Sequence, residues 1–316
     1  MAKRLHETIS RAFELRKKFI NQTDTNAYRL VHSYGDALPE ITIDIYDKNI
    51  LVQYFKPCEN TTKDEMYEIL NEFFTPENIT EKIRLKDADI KTHNISGSEA
   101  PRRFCVTENN IKFNVSFQAG GSTGLFLDQR DNRKKIKTIA KGAEVLNCFC
   151  YTSSFSIYAG LGGAVKTVNI DLSRKAIEWS KENILLNNLD INKHDFIVGD
   201  VWDMLKLFKK KGRFFDLIIM DPPSFSTSKK RALSVEQDIP ELVGSGLEIL
   251  RPDGIFAFST NIAKMNFSRF FQLLSLSKNF TKKPFKLIDL SSQGIDFPTD
   301  GIHFKEPYLK FVLLTH

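Results

Sequence analysis

The sequence predicts an α/β fold, a doubly wound and mostly parallel sheet of seven strands, preceded by a smaller α+β domain. Two observations predict it. From residue 143 onward, short apolar runs alternate with patterns at helical spacing, which is typical of a parallel sheet covered by helices. One of these runs, Phe214–Met220, is mostly apolar and ends abruptly at Asp221, Pro222 and Pro223. Such a run is expected of a strand that is buried on both faces of a sheet.

The seven apolar runs and the patterns between them set the order of the predicted sheet. The strands are Val145–Phe149, Val165–Ile170, Phe196–Val198, Phe214–Met220, Ile255–Phe258, Phe285–Leu290 and Tyr308–Leu314. The helices are Ser153–Leu161, Ser173–Asn188, Trp202–Lys211, Glu236–Leu250 and Phe267–Leu276. The last two strands are joined by a polar stretch without a clear crossover helix, so the final strand can insert antiparallel.

Residues 1–117 predict a smaller α+β domain, and residues 118–316 the domain that holds the large sheet. A basic amphipathic helix over residues 8–20 fits a solvated surface helix and an RNA-facing helix equally well. The remaining elements predicted in this domain are strands Tyr28–His32, Ile41–Tyr46, Ile50–Phe55 and Ile79–Leu85, helix Thr61–Phe74, and a hairpin of Phe104–Thr107 and Ile111–Phe117. Residues 87–102 are polar and irregular, which favours a loop or linker.

Composition limits the classes of protein that the chain can belong to. Its 316 residues carry a net charge of +6 and 41% hydrophobic residues, values typical of a globular protein. No run approaches the length of a membrane span, and the four cysteines include no C-x-x-C pair. We therefore expect a cytoplasmic protein without a membrane anchor, a disulfide framework or a metal site.

Polar side chains stand at the carboxyl ends of the first four predicted strands, where open α/β sheets bind ligands. Asn147 lies in the first strand, near its end, and Asp171 closes the second, where a carboxylate can accept both hydroxyls of a ribose. Asp200 follows the third strand and is placed to accept from an adenine amino group, and Asp221 follows the fourth. These positions predict a nucleotide-type ligand. A dinucleotide is less favoured because no G-x-G-x-x-G follows the first strand.

Residues 123–260 resemble the class I S-adenosylmethionine-dependent RNA methyltransferases of the bacterial large-subunit rRNA type. The matching strings are TGLFLDQRDNR (123–133), VLNCFCYTSSFSIYAGLGGA (145–164), VNIDLSRKAIEWSKENILLNN (168–188) and DPPSFSTSKK (221–230). The last string is most similar to the guanine-N7 enzymes, whereas residues 33–55 match the cytosine-C5 enzymes better. The resemblance implies a Rossmann-like fold, S-adenosyl-L-methionine as cofactor and RNA as partner.

The resemblance also implies which residues contact the cofactor. The predicted cofactor-binding residues are Asn147, Phe149, Tyr151, Thr152, Asp171, Leu172, Asp200, Val201, Asp221 and Arg130. Arg130 belongs to a DQR segment that is expected to reach the methionyl carboxylate or an RNA phosphate. Family members usually carry Gly-Gly where this chain has Ser153 and Ser154. We expect serine to be tolerated there if neither position requires a positive φ.

Cysteine placement decides which base atom is favoured. Methylation of pyrimidine carbon 5 requires a cysteine thiolate that adds to the ring first. The cytosine-C5 relatives carry that cysteine after the fifth strand, where this chain reads FSTN (258–261). Cys148 and Cys150 lie in the first-strand loop and are expected to be small buried hydrophobes. Carbon-5 chemistry is therefore disfavoured.

A guanine nitrogen fits the remaining chemistry. N7 carries a lone pair and no proton, so attack on a sulfonium methyl needs only positioning and electrostatics. We expect the catalytic residues to be Asp221, Pro222, Pro223 and Phe225. Asp221 and the carbonyls beside the two prolines hold the base edge, and Phe225 stacks on the base. Guanine N2 fits the same grip, so both atoms remain candidates.

Basic residues near the catalytic loop predict the RNA contacts. Lys229, Lys230 and Arg231 follow the DPPSF segment directly, and Arg133 follows the DQR segment. Three alternatives remain open: a cytosine-C5 enzyme, a methyltransferase of a small molecule or protein, and a non-catalytic RNA-binding or ribosome-assembly factor. The last would apply if Ser153 and Ser154 prevented cofactor binding.

Overall fold

The computed structural model describes residues 2–20, 23–86, 88–223, 225–227, 232–302 and 306–316. The chain forms two compact units. Unit 1 comprises Met1–Arg130 together with Gly294–Lys305, and unit 2 comprises Asp131–Gln293 together with Glu306–His316. The domain boundary predicted at residue 117 remains a prediction. The units defined by contacts meet near Arg130, and unit 1 also includes the later segment Gly294–Lys305.

Unit 1 is built on a five-stranded sheet with the order β1-β2-β3-β4-β5. Its elements are α1 (Ala2–Ile20), β1 (Ala27–His32), β2 (Ile41–Tyr46), β3 (Asn49–Tyr54), α2 (Asn60–Phe74), β4 (Asn78–Ile83), β5 (Lys91–Gly97) and the hairpin of β6 (Phe104–Glu108) and β7 (Ile111–Val115). β3 and β4 pair in parallel, and the other neighbours pair antiparallel. Helix α2 provides the crossover that a parallel pair requires.

The core of unit 1 lies between one face of this sheet and the two helices. Ile9 of α1, Leu70 of α2 and Ile79 of β4 are buried in one apolar cluster. The other face carries polar side chains such as Thr80 and Lys82, because successive residues of a strand point to opposite faces. In unit 2, by contrast, both faces of the sheet are apolar.

The loop predicted over residues 87–102 is wrong in part, because the chain forms β5 there. Every residue from Lys91 to Ile95 is exposed, which leaves no apolar alternation for a sequence pattern to detect. The strand is held by backbone pairing with β4 instead. The other strands and helices predicted for this region are confirmed in type, with ends that shift by a few residues and α1 extended to Ala2.

A segment from near the C-terminus completes unit 1. Asp296 is fully buried, and its two carboxylate oxygens accept from both terminal nitrogens of Arg130 at 2.9 and 2.6 Å. The same carboxylate accepts from the backbone N–H of Arg29 at 3.1 Å. Arg16 donates to the carbonyl of Asp296 at 2.8 Å and forms two bonds of 2.6 Å to Asp36. Residues far apart in the chain therefore form one buried ionic network.

Unit 2 carries the predicted seven-stranded sheet, and its first helix begins at Arg130, a residue assigned to unit 1. Its elements are α3 (Arg130–Ile139), β8 (Glu144–Cys148), α4 (Ser154–Leu161), β9 (Lys166–Asp171), α5 (Arg174–Leu186), β10 (His194–Val198), α6 (Val201–Lys210), β11 (Phe215–Met220), β12 (Phe225–Thr227), β13 (Ala232–Ser234), α7 (Val235–Glu248), β14 (Leu250–Thr260), α8 (Phe267–Leu276), β15 (Lys286–Ser291) and β16 (Lys310–Thr315). β12 and β13 form a separate two-stranded ribbon.

The strand order of the large sheet is β10-β9-β8-β11-β14-β16-β15. The strands from β10 to β14 are parallel, and β16 is antiparallel to both of its neighbours. The antiparallel insertion that the sequence permitted is thus confirmed. The order reverses between β8 and β11, which is the switch point at which doubly wound sheets bind ligands. Apolar clusters on both faces confirm that the central strands are buried on each face of the sheet.

Candidate active site

The strand register brings four of the predicted site residues to one edge of the sheet. Cys148 pairs with Met220 on one side and with Ile170 on the other. Ile170 in turn pairs with Ile197 of β10. Since these strands are parallel and end within about one or two residues of this level, Asn147, Asp171, Asp200 and Asp221 lie at the same carboxyl edge.

The loop between β8 and α4 has an unusual backbone. Phe149, Tyr151 and Ser153 have φ values of 57°, 49° and 61°, and none of them is glycine. We expected serine to be tolerated here if neither position required a positive φ. Position 153 does require one, whereas Ser154 is helical. A non-glycine residue in this region costs on the order of 1 kcal/mol, and such strain clusters at binding sites. Glycine, which family members usually carry here, adopts a positive φ without this cost. In this chain a serine adopts the same conformation.

Side chains from neighbouring strands and helices hold this loop in place. Asp171 accepts from the backbone N–H of Tyr151 at 2.9 Å and from that of Ser173 at 2.8 Å. From α5, Ser180 donates to the carbonyl of Tyr151 at 2.8 Å, and Asn183 donates to that of Thr152 at 3.5 Å. Burial raises the pKa of Asp171 above its usual value, and the two backbone donors oppose that rise. The sequence predicts Asp171 as a ribose acceptor, and its contact with the backbone of Tyr151 is a finding of the structure.

Asn147 and Thr152 are nearly inaccessible, and Asn147 donates to the hydroxyl of Ser156 in α4 at 2.9 Å. Leu172, by contrast, is 49% exposed just beyond β9. Asp200 caps α6, accepting from the backbone N–H of Asp203 at 3.2 Å. A carboxylate has about four acceptor sites, so a cap leaves capacity for a ligand.

Two aromatic contacts line the same region. The rings of Phe149 and Trp202 meet edge to face with centroids 5.8 Å apart, and those of Tyr151 and Trp179 lie 6.2 Å apart. Val201 is buried in the core beside Trp202. These contacts connect the β8–α4 loop to α5 and α6. The sequence analysis did not identify Trp179, Ser180 and Asn183. The helical spacing of α5 predicts which side of the helix is buried, but it does not predict which loop that side contacts.

Asp221 has a partner that the sequence did not suggest. Ser259, near the end of β14, donates its hydroxyl hydrogen to Asp221 Oδ1 at 2.6 Å. Ser259 is 1% exposed. Met220 pairs with Phe258, so the next residues of the two strands stand side by side. The FSTN string (258–261) contains this serine. The sequence analysis considered that string only for the absence of a cysteine.

The predicted catalytic loop continues from Asp221 into the ribbon of β12 and β13. Pro222 is buried and Pro223 is exposed. The backbone of Phe225 belongs to β12 and pairs with Ser234 of β13. The predicted RNA contacts Lys229, Lys230 and Arg231 lie outside the described residues.

Two arginines are held by partners within their own units. Arg130, predicted to bind the cofactor, lies in unit 1 in the ion pair with Asp296, with its guanidinium 4.5 Å from the centre of the Phe19 ring. Arg133, predicted to bind RNA, has no exposed surface and lies 5.9 Å from the ring of Tyr158. An RNA phosphate contact would require the Arg133 guanidinium to leave this buried position.

The cysteines of unit 2 are as buried as the sequence predicted. Cys148 is 0% and Cys150 is 6% exposed. Burial raises the pKa of both thiols above the usual range, which disfavours the thiolate that nucleophilic chemistry needs. Burial also raises the pKa of Cys58 and of Cys105, the two cysteines of unit 1.

The residues at this edge fit a sulfonium nucleoside. The β8–α4 loop carries the small buried residues Cys150, Thr152 and Ser153, and carboxylates end β9 and precede α6. Bound there, S-adenosyl-L-methionine would supply a methyl group activated by positive sulfur. No group of three or more potential metal ligands occurs among the described residues. None of the helices in the same residues is long and apolar enough to cross a membrane.

The fold and this edge define a class I methyltransferase. The model of the S-adenosylmethionine-dependent methyltransferase family matches residues 29–271. The chain belongs to this family, and its cofactor is S-adenosyl-L-methionine. The family resemblance stated from the motifs is thus confirmed, as are the fold class and the enzyme class.

Individual relatives agree over most of the chain. A Bacillus subtilis (strain 168) protein, provisionally named ribosomal RNA large subunit methyltransferase YwbD, is 34% identical over 98% of this chain and 82% of its own length. Ribosomal RNA large subunit methyltransferase I of Photobacterium profundum is 33% identical over 90% of this chain and 72% of its own. The crystal structure of SMU.776, provisionally described as a methyltransferase and complexed with S-adenosylhomocysteine, has a TM-score of 0.92 at 32% identity, covering 100% of this chain and 82% of that one.

Proposed function

We propose that this enzyme methylates a guanine nitrogen, N7 or N2, of large-subunit ribosomal RNA. The RNA class is supported by the relatives named ribosomal RNA large subunit methyltransferases, which are similar over nearly the whole chain. An rRNA substrate would also agree with the expected cytoplasmic location. The atom is supported by the side chains at the carboxyl edge of unit 2.

The observation that carries the choice of atom is the hydroxyl of Ser259 beside Asp221. Carbon-5 methylation needs a thiolate near the base, and the chain has no cysteine after β11 or β14. Its two cysteines in unit 2 are buried, and burial raises the pKa of both thiols. A carboxylate supported by a serine suits a base that is positioned by hydrogen bonds and attacks through its own lone pair.

The chain's own groups then have simple roles. Asp221 and the carbonyls beside the two prolines accept from donor atoms of the base, and Phe225 stacks on its face. N7 has no proton to lose, whereas N2 would pass one hydrogen toward Asp221. Lys229, Lys230 and Arg231 are proposed to contact phosphates near this loop.

Mass spectrometry of nucleosides from large-subunit rRNA tests the proposal. A strain that lacks the enzyme should lose one methylguanosine, and purified protein should restore it on rRNA from that strain. Loss of 5-methylcytidine would support the carbon-5 alternative. An unchanged profile in both bases would contradict the proposed substrate and favour a small-molecule or protein methyltransferase.

The assembly-factor alternative is tested by calorimetry with S-adenosylhomocysteine. The family assignment predicts measurable heat, despite the strained backbone at Ser153. Absence of heat at high micromolar ligand would favour a non-catalytic role.

A further inference from the structure

The end of β14 presents two adjacent hydroxyls to opposite faces of the sheet. Ser259 pairs with Phe311 of β16, and Thr260 pairs with Lys310. Phe311 belongs to the apolar cluster that includes Ile219 of β11. Asp221 follows Ile219 by two residues and therefore points to the same face as Ser259. Thr260 faces the other way, so Ser259 is the hydroxyl that β14 offers to Asp221.

Burial and strand pairing restrict the position of the Ser259 hydroxyl beside Asp221. Ser259 is 1% exposed within a strand that is paired on both sides, by β11 and by β16. Its side chain has a single rotatable bond before the hydroxyl, and the 2.6 Å distance to Oδ1 is that of a charge-assisted bond. Asp221 itself lies just past the last residue of β11. The paired strand β14 therefore orients a carboxylate that stands beyond the end of its own strand.

We propose that Ser259 is a positioning residue for methyl transfer, which fixes the plane of the Asp221 carboxylate so that it can accept from the base. The inference rests on the proposed role of Asp221 and deepens it. With Oδ1 held by Ser259, the carboxylate keeps one orientation while the base enters. The cost of ordering the acceptor is thus met during folding and not at each turnover.

Kinetics of full-length variants test this role. Ser259→Ala should lower kcat about ten-fold on large-subunit rRNA, since a hydrogen bond to a charged group is lost. Ser259→Thr keeps the hydroxyl and should recover much of the rate. Ser277→Ala is the matched control, because Ser277 is also fully buried in unit 2 but its hydroxyl has no partner among the described residues.

A double-mutant cycle separates positioning from a general structural effect. Ser259→Ala should have little further effect in an Asp221→Ala background, because the group it positions is gone. Equal losses in both backgrounds, or a wild-type kcat for Ser259→Ala, would overturn the proposal.

Crystal structures of the wild type and Ser259→Ala test the geometry whatever the substrate. Asp221 should occupy one rotamer in the wild type and rotate or become disordered in the variant. An unchanged Asp221 in the variant would contradict the inference. If rRNA is not a substrate, the proposed function fails while this structural readout still decides the role of Ser259.

Discussion

At the scale of single residues, the carboxyl edge of the large sheet shows how one side chain can organise a loop. Asp171 accepts from the backbone N–H groups of Tyr151 and Ser173, which ties the β8–α4 loop to the end of β9. The loop contains three non-glycine residues with positive φ, so it does not adopt this shape without support. Asp171 is therefore an anchor for the β8–α4 loop as well as a candidate ribose acceptor.

Replacement of Asp171 by Ala should weaken S-adenosylhomocysteine binding by about 10- to 100-fold. The loss of hydrogen bonds to a charged acceptor costs roughly 1.5–3 kcal/mol, and the loop would relax from its strained conformation. Titration calorimetry measures the effect. Asp190→Ala is a suitable control, since Asp190 is exposed and caps the short helix Ile191–Lys193 before β10. Equal affinities for wild type and Asp171→Ala would contradict the anchor role.

At the scale of elements, unit 1 depends on ionic side chains that its secondary structure alone does not predict. Asp296 is fully buried and connects α1, β1 and Arg130 through three arginines. Gly35 lies so close to Pro298 that a Cβ there would meet the proline carbonyl oxygen at 2.0 Å. The short segment around Asp296 is therefore a structural part of unit 1.

Asp296→Ala should lower the free energy of unfolding by about 3–5 kcal/mol, because it leaves the Arg130 guanidinium buried without its counter-charge. Asp296→Asn keeps an oxygen acceptor and should cost less. Chemical denaturation followed by circular dichroism measures both. Glu77→Ala is the control, since Glu77 and its partner Lys48 are largely exposed. A loss for Asp296→Ala no larger than for this control would contradict the importance of the network.

Lys82 of β4 makes the free energy of unfolding depend on pH. Its side chain is 1% exposed and donates to the carbonyl of Gly120 at 2.9 Å. Burial lowers its pKa from 10.5 to about 8, with a smaller contribution from Arg84. The unfolded chain therefore binds more protons than the folded one between these two values, and the term adds stability as pH rises.

The difference in unfolding free energy between wild type and Lys82→Met should accordingly shift in favour of the wild type as pH rises. The shift should total about 3 kcal/mol between pH 8 and pH 10.5, from the pKa range of Lys82. Urea unfolding of both proteins across this range measures it. A constant difference would show that Lys82 keeps its ordinary pKa.

At the scale of the whole molecule, the chain leaves unit 2 after β15, contributes residues to unit 1 and returns to form β16. Unit 1 is therefore not contiguous in sequence. A boundary drawn at residue 117 would remove both Arg130 and Asp296 from the α+β fold. The contact-based division differs from a single linear boundary because two separate stretches of the chain contribute to unit 1.

A fragment of residues 1–130 should consequently fail to unfold cooperatively. It retains the five-stranded sheet, the β6–β7 hairpin and both helices but lacks Asp296, so three arginines lose a buried partner. Thermal melting monitored by circular dichroism tests this against the full-length chain. A sharp, reversible transition in the fragment would show that the segment 294–302 is dispensable for folding.

The sequence by itself determined the class of fold, the order of alternating strands and helices, the carboxyl-edge acids and the family. Those features follow from local hydrophobic period and from motifs that occupy a few neighbouring residues. The tertiary structure alone decided that Ser259 supports Asp221, that Asp296 completes unit 1, that β5 exists and that Ser153 takes a positive φ. Each depends on a partner that is distant in the chain or on backbone geometry, and a pattern of side-chain types carries no record of either.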